Sequence, residues 1–340
     1  MRFIRLISAL LFALVMGVAT LAVLWTFALK KAETTLHNAL AEIFGENVQY
    51  STVLHVYDPQ QIHLIVHDLV IQHEIMGKTL SVKLDRVDVL RDFYGDYRLV
   101  LELPKDVNFL VQAAGRTQEF GLKLEGGEIA LLRPAGEWEL QLSTRVAQLF
   151  NQMEEQALLK TGDIYVTLQH RGSATLFEGG VKRIEFLEQS LDRAFIKVVG
   201  TQVEQLLLEG VIGLAQTGTL EGAKKAMLTM LRTVPPGNRT FEVLNLHLAP
   251  TAERWIALAG TVDIDGRLRP AGEWMVSTNQ TQWFLEGLAR TEGIKAEVLQ
   301  NRDFRRELDA RGGVETFDAS VRLGDVRLNG YAIGKLEPLR

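Results

Sequence analysis

The 340-residue chain contains no cysteine, which excludes disulfides, thiolate metal sites and a cysteine nucleophile. Compact catalytic signatures are absent as well. There is no G-x-S-x-G elbow, no glycine-rich phosphate loop followed by Lys-Ser/Thr, and no H-E-x-x-H. An excess of positive charge is also missing. The formal charge is −5, and the first 31 residues carry Arg2, Arg5, Lys30 and Lys31 with no acid, so residues 32–340 stand at −9. A chain of that sign with scattered bases argues against a nucleic-acid partner.

Apolar residues are plentiful, at 47%, which supports a core and excludes a disordered chain. The length leaves room for two or three domains or for one elongated body. The segment LISALLFALVMGVATLAVLWTFAL, residues 6–29, has no charge. At about 1.5 Å rise per residue it spans a hydrocarbon layer of about 30 Å. Arg2 and Arg5 precede it, so residues 1–5 are read as a cytoplasmic tail and 6–29 as a transmembrane anchor. The expected location is a bacterial inner membrane, single-pass, with the C-terminal bulk in the periplasm. A cleaved signal peptide, cut after Thr26-Phe27-Ala28, is the rival, although the apolar run exceeds the usual ~7–15 residues. Residues 30–45 place Leu36, Leu40 and Ile43 at helical spacing with Gly45 as a stop. This predicts a juxtamembrane helix, either standing free or packed on the body.

From Val48 onward the signal has period two. IHLIVHDLVI groups Ile65, Leu69 and Ile71 with His63 and His67, opposite Ile62, Leu64, Val66 and Val70. YRLVLEL sets Tyr97, Leu99, Leu101 and Leu103 against Arg98 and Glu102. Ile164, Val166 and Leu168 oppose Tyr165, Thr167 and Gln169. Leu244, Leu246 and Leu248 oppose Glu242, Asn245 and His247, and Phe317, Ala319, Val321 and Leu323 share a face. The pattern predicts a mainly β (α+β) chain of antiparallel sheet with one apolar face. Two strand-rich lobes, 46–185 and 236–340, flank a helical insert over 186–235, which contains VEQLLLEGVIGLA and LEGAKKAMLTMLRT and is closed by Pro235 and Pro236.

RPAGEW occurs twice, at Arg133–Trp138 and Arg269–Trp274. Proline early and glycine two positions on fit a type I turn closed by a left-handed glycine. Arg133, Pro134, Gly136 and Trp138, with Arg269, Pro270, Gly272 and Trp274, are therefore read as structural turn motifs rather than a duplicated binding loop. A short helix is expected after each copy, in STRVAQLFNQMEEQALL and in STNQTQWFLEGLAR.

The polar clusters support no catalytic, cofactor-binding or metal assignment. His63 and His67 would make a metal pair on a helix, but four residues of strand span about 13 Å. Glu154–Glu155 and Asp263–Asp265 read as surface acids, and Asn238 and Asn279 as chance glycosylation matches.

The anchor, QIHLIVHDLVI, LSVKLDRVDVL, LRPAGEW and the closing VRLGDVRLNGYAIGKLEPL give the chain a shape that resembles an alphaproteobacterial membrane-anchored envelope family known only as domain of unknown function number 2125. The resemblance implies an inner-membrane-anchored periplasmic protein and supplies no site residues. Two functions are expected from the whole reading: an envelope scaffold or interaction module with a protein partner, or a module that offers an apolar sheet face to lipid or another amphiphile. The alternative is a periplasmic hydrolase with a site assembled from scattered Asp, Glu and His.

Overall fold

The computed structural model describes residues 26–41, 47–56, 58, 61–75, 78–92, 98–113, 116–132, 139–151, 157–186, 189–301, 304 and 315–336. Helix α1 (26–41) leads to the short strands β1 (Val48–Gln49) and β2 (Thr52–Val56), both paired with β3 (Gln61–Ile75). β3 and β4 (Lys78–Asp92) make one long hairpin. Past β4 the sheet forks. β5 (Leu99–Glu102) takes one end of β4 and pairs with β8 (Glu128–Leu132). β6 (Asp106–Ala113) takes the other end and pairs with β7 (Arg116–Glu125). Both arms rejoin on β9 (Glu139–Asn151).

A meander follows through β10 (Ala157–Arg171), β11 (Ala174–Phe186) and β12 (Gln189–Gly200). Helices α2 (Val203–Thr217) and α3 (Leu220–Thr233) come next. β13 (Thr240–Thr251) then returns to pair directly with β12. β14 (Arg254–Ile264) and β15 (Pro270–Thr278) extend the sheet. Helices α4 (Thr281–Ala289) and α5 (Ala296–Leu299) precede β16 (Glu315–Arg322), β17 (Asp325–Leu328) and β18 (Tyr331–Lys335). The protein is mainly β, and every pairing among the described strands is antiparallel. One sheet runs through both strand-rich stretches, because the β12–β13 ladder bridges the helical excursion.

Three helical groups cover one face of this sheet. α1 buries Leu29, Ala32, Leu36, Ala39 and Leu40 against β3, β4, β5 and β8. Ile212 and Leu214 of α2 meet Val111, Phe120 and Phe186, while Val203, Leu228 and Leu231 meet Val198 and Phe241. Phe284, Leu285 and Leu299 of α4 and α5 cover Val276, Phe317 and Leu328. The helix expected at the start of the body is thus packed onto it.

Several expectations change on contact with the fold. The helical stretch begins at Val203, since Gln189–Gly200 is strand β12. STRVAQLF is not helical either. It lies within β9, where β7, β8 and β10 satisfy its backbone from both sides and override the helix-like spacing of Val146, Leu149 and Phe150. The helix after the second copy of RPAGEW does form, as α4.

In β3 the buried face runs Ile62, Leu64, Val66 and then Leu69, so Leu69 does not share a face with Ile65. The phase flips at Asp68, whose φ is 53°, and β4 flips with it between Leu84 and Val87. In β13 an irregularity between Val243 and Leu246 turns Leu244 outward, to 40% exposure. Leu323 sits in the β16–β17 turn at 71% exposure, off the face of Phe317 and Val321.

Among the described residues no helix is long and apolar enough to cross a membrane. Most of the expected span, residues 1–25, lies outside the described residues, as do Tyr97, the 42–46 end of the juxtamembrane segment and the first copy of RPAGEW.

Candidate functional site

Strand pairing aligns the inward side chains into rows that run across the sheet. Leu64 of β3 stands beside Val89, then Leu101, Ile129, Leu142, Val166, Gly179, Ile196, Leu246, Leu258, Val276 and Phe317. That is one unbroken apolar row over twelve strands, roughly 50 Å at about 4.8 Å per strand. A second row lies two residues along each strand, and three along β13 where the register shifts: Leu99, Leu131, Leu140, Leu168, Phe177, Val198, Val243, Gly260, Trp274 and Ala319. The outward positions between them are polar from β9 to β12, whereas Val100, Ala130, Ala259 and Met275 on the flanking strands are apolar. Gln141, Thr167, Glu178, Lys197 and Asn245 are in register, with Lys197 and Glu178 ion-paired at 2.7 Å.

The helices do not cover the rows evenly. Leu64 and Val89 are buried under α1, and Val276 and Phe317 under α4. Between α1 and the α2–α3 pair, Leu142, Val166 and Leu168 are only half-buried, as are Leu246 and Leu248 between α2–α3 and α4. None of these five belongs to the clusters made with the helices. They form two gaps in the cover of a continuous apolar surface, the arrangement an alkyl chain can use.

The second copy of RPAGEW is not a turn. The turn is one step earlier, at Asp265–Leu268, closed by Leu268 N–H donating to the Asp265 carbonyl at 2.9 Å. Asp265 Oδ1 accepts the backbone N–H of Arg267 at 2.8 Å and of Arg269 at 2.9 Å, and the Arg269 guanidinium pairs with Oδ2 at 2.7 Å. These bonds, the Arg269 backbone foremost, hold the Asp265 carboxyl below its usual range. Pro270 opens β15, where its missing N–H costs little. Gly272 lies against the Thr261 carbonyl, leaving no room for a Cβ. Trp274 faces inward beside Gly260. The motif therefore locks a turn and starts a strand.

Beside that turn, Arg239 is 5% exposed and donates to three carbonyl oxygens: Val234 at 2.7 Å, Asp265 at 2.9 Å and Arg232 at 3.3 Å. It ties the end of α3 to the β14–β15 turn.

The histidines lie on strand, as the spacing argument required. His63 meets Asp88 at 2.7 Å, and Arg86 donates to the same carboxylate at 2.9 Å. The Arg86 guanidinium, and less strongly His63, hold the Asp88 carboxyl low against the opposing effect of burial. Asp68 instead accepts from Ser51 Oγ at 2.8 Å, while the His73 side chain lies outside the described residues. Among the described residues no three His, Asp or Glu side chains gather at metal-binding spacing.

Of the acid pairs, Asp263 bonds the Thr240 hydroxyl at 3.1 Å and Asp265 holds its turn; Glu154 and Glu155 lie outside the described residues. Asn279 is committed to the Trp255 N–H at 3.0 Å and the Glu253 carbonyl at 2.9 Å. Near the fork, a recess of about 310 Å³ is lined by Lys105, Asp106, Lys123, Glu125 and Gln148 among others, and is mixed in charge.

Residue-by-residue reading missed Glu315, on the inward face of β16. It is 9% exposed, and its Oε2 has no hydrogen-bond partner among the described residues. Its sequence neighbours carry no signal that marks it.

No protein-family model, curated protein or solved structure matches the chain.

Proposed function

We propose that this protein is a membrane-tethered periplasmic module that seats the alkyl chain of a lipid or similar amphiphile along the inward face of its sheet. The observation that carries the reading is the pair of in-register apolar rows, covered at both ends and half-open at Leu142–Val166–Leu168 and Leu246–Leu248. A face that only packed against its own helices has no need of continuity across the uncovered strands.

The tether in this reading is the uncharged run 6–29, followed by a helix that is already formed at Thr26 and buries Leu29 to 7% exposure. A signal-peptide cut after Ala28 would fall inside that helix and free the N-terminus at a core residue. From Thr26 onward the chain enters the body as helix, and the covered end of the rows begins under α1.

The test is the lipid that travels with the full chain. Protein purified in maltoside detergent, washed extensively and extracted with organic solvent should yield a defined lipid near one per chain. Lipid at trace level, in the proportions of the whole membrane, would contradict the reading.

The interaction-module reading has one observation in its favour. β2 pairs only with β3 among the described strands and presents Leu54 at 52% exposure, an edge that a partner strand could extend.

A further inference from the structure

We propose that the carboxylate of Glu315 recognises a cationic ammonium head group on the amphiphile whose chain lies along the apolar rows. This inference rests on the lipid-seating reading and adds the chemistry of the head group.

The placement of Glu315 comes from strand register. Glu315 stands opposite Thr278, which stands beside Ile256, Leu248 and Ala194 in turn. It therefore ends a third inward row, next to Phe317 on its own strand. The half-open Leu246–Leu248 gap lies three strand spacings away, about 14 Å. That distance suits an amphiphile with its chain at the gap and its head at Glu315.

An acid in this position is costly. The residue is nine-tenths buried, and Oε2 makes no hydrogen bond among the described residues. Burying a carboxylate oxygen that no donor meets leaves its desolvation uncompensated, and an apolar residue at the end of an apolar row would avoid that cost. A ligand cation that supplies the missing donor offsets it. An ammonium group is the complement in charge and in hydrogen-bonding, since it donates and never accepts.

The test uses the full chain in maltoside detergent. It is incubated with equal amounts of phosphatidylethanolamine, phosphatidylglycerol and diacylglycerol carrying identical acyl chains, and retained lipid is read by native mass spectrometry. The expected result is retention of phosphatidylethanolamine about tenfold above both others, the ratio one charge-assisted hydrogen bond supplies. Glu315→Gln should bring the three to near parity with total bound lipid unchanged. Equal retention by the wild type, or a preference that survives Glu315→Gln, would overturn the inference while leaving the seating reading intact. Retention of no lipid at all would overturn both.

Thermal unfolding of the lipid-free proteins separates recognition from a structural role. Glu315→Gln should unfold at a temperature equal to or above the wild type, because it removes a buried carboxylate whose Oε2 no donor of the chain meets. A clear drop would mean that the chain itself holds the carboxylate, and would overturn the proposal.

Discussion

Asp88 and Asp265 show how much a single residue can depend on its neighbours. Each is an ordinary surface acid by sequence, and each is held below its normal titration range in the fold, Asp88 by Arg86 and Asp265 by the N–H groups of its own turn. A carboxyl lowered on folding adds stability that is complete above its unfolded value, near 4, and is lost as the pH falls through the folded value. The protein should therefore lose stability as the pH falls below about 4, in part through these two groups. Asp88→Asn should flatten that acid limb, read as the urea midpoint at successive pH values. An unchanged slope would show that the Arg86–Asp88 contact contributes nothing in solution. Of these local arrangements only the residue types were legible beforehand. The pairing of His63 with Asp88 depends on a cross-strand register that no local pattern encodes.

At the scale of elements, periodicity identified α2, α3 and α4, and it identified the strands whose faces differ most. It failed where two explanations share one spacing. Val146, Leu149 and Phe150 fit a helix as well as a strand, and three neighbouring strands decided the matter. It failed again where a strand changes phase, at Asp68 through a left-handed residue and between Val243 and Leu246 through a register shift, because either one moves every later side chain to the other face. The α2–α3 pair carries its own test. Gly213 lies so close to α3 that a Cβ there would stand 2.6 Å from the Gly222 carbonyl oxygen and 2.7 Å from Ala226 Cβ. Gly213→Val should separate the two helices and cost about 2–3 kcal/mol in chemical denaturation. A cost under about 0.5 kcal/mol would mean that the helices do not cross so tightly.

At the scale of the molecule, the antiparallel, mainly β class with one apolar face was readable, because alternation reports it directly. The single continuous sheet was not. Two strand-rich stretches around a helical excursion look like two lobes until the β12–β13 ladder joins them. RPAGEW was read as the same turn twice, but its second copy is a strand start held by Asp265, which is four residues before Arg269. The corresponding position before Arg133 is Ile129, so the local setting of the two copies already differs.

The rows that suggest a lipid seat are a property of the whole sheet, assembled from one side chain per strand. Adjacent residues on one strand give the sharpest contrast for testing them. Leu246 faces the rows and Asn245 faces outward. A photo-reactive amino acid placed at each position in turn, in the full chain in living bacteria, reports what touches each face. The account predicts lipid adducts at Leu246 and none above background at Asn245. Adducts to protein alone at Leu246, or equal lipid capture at both positions, would contradict it.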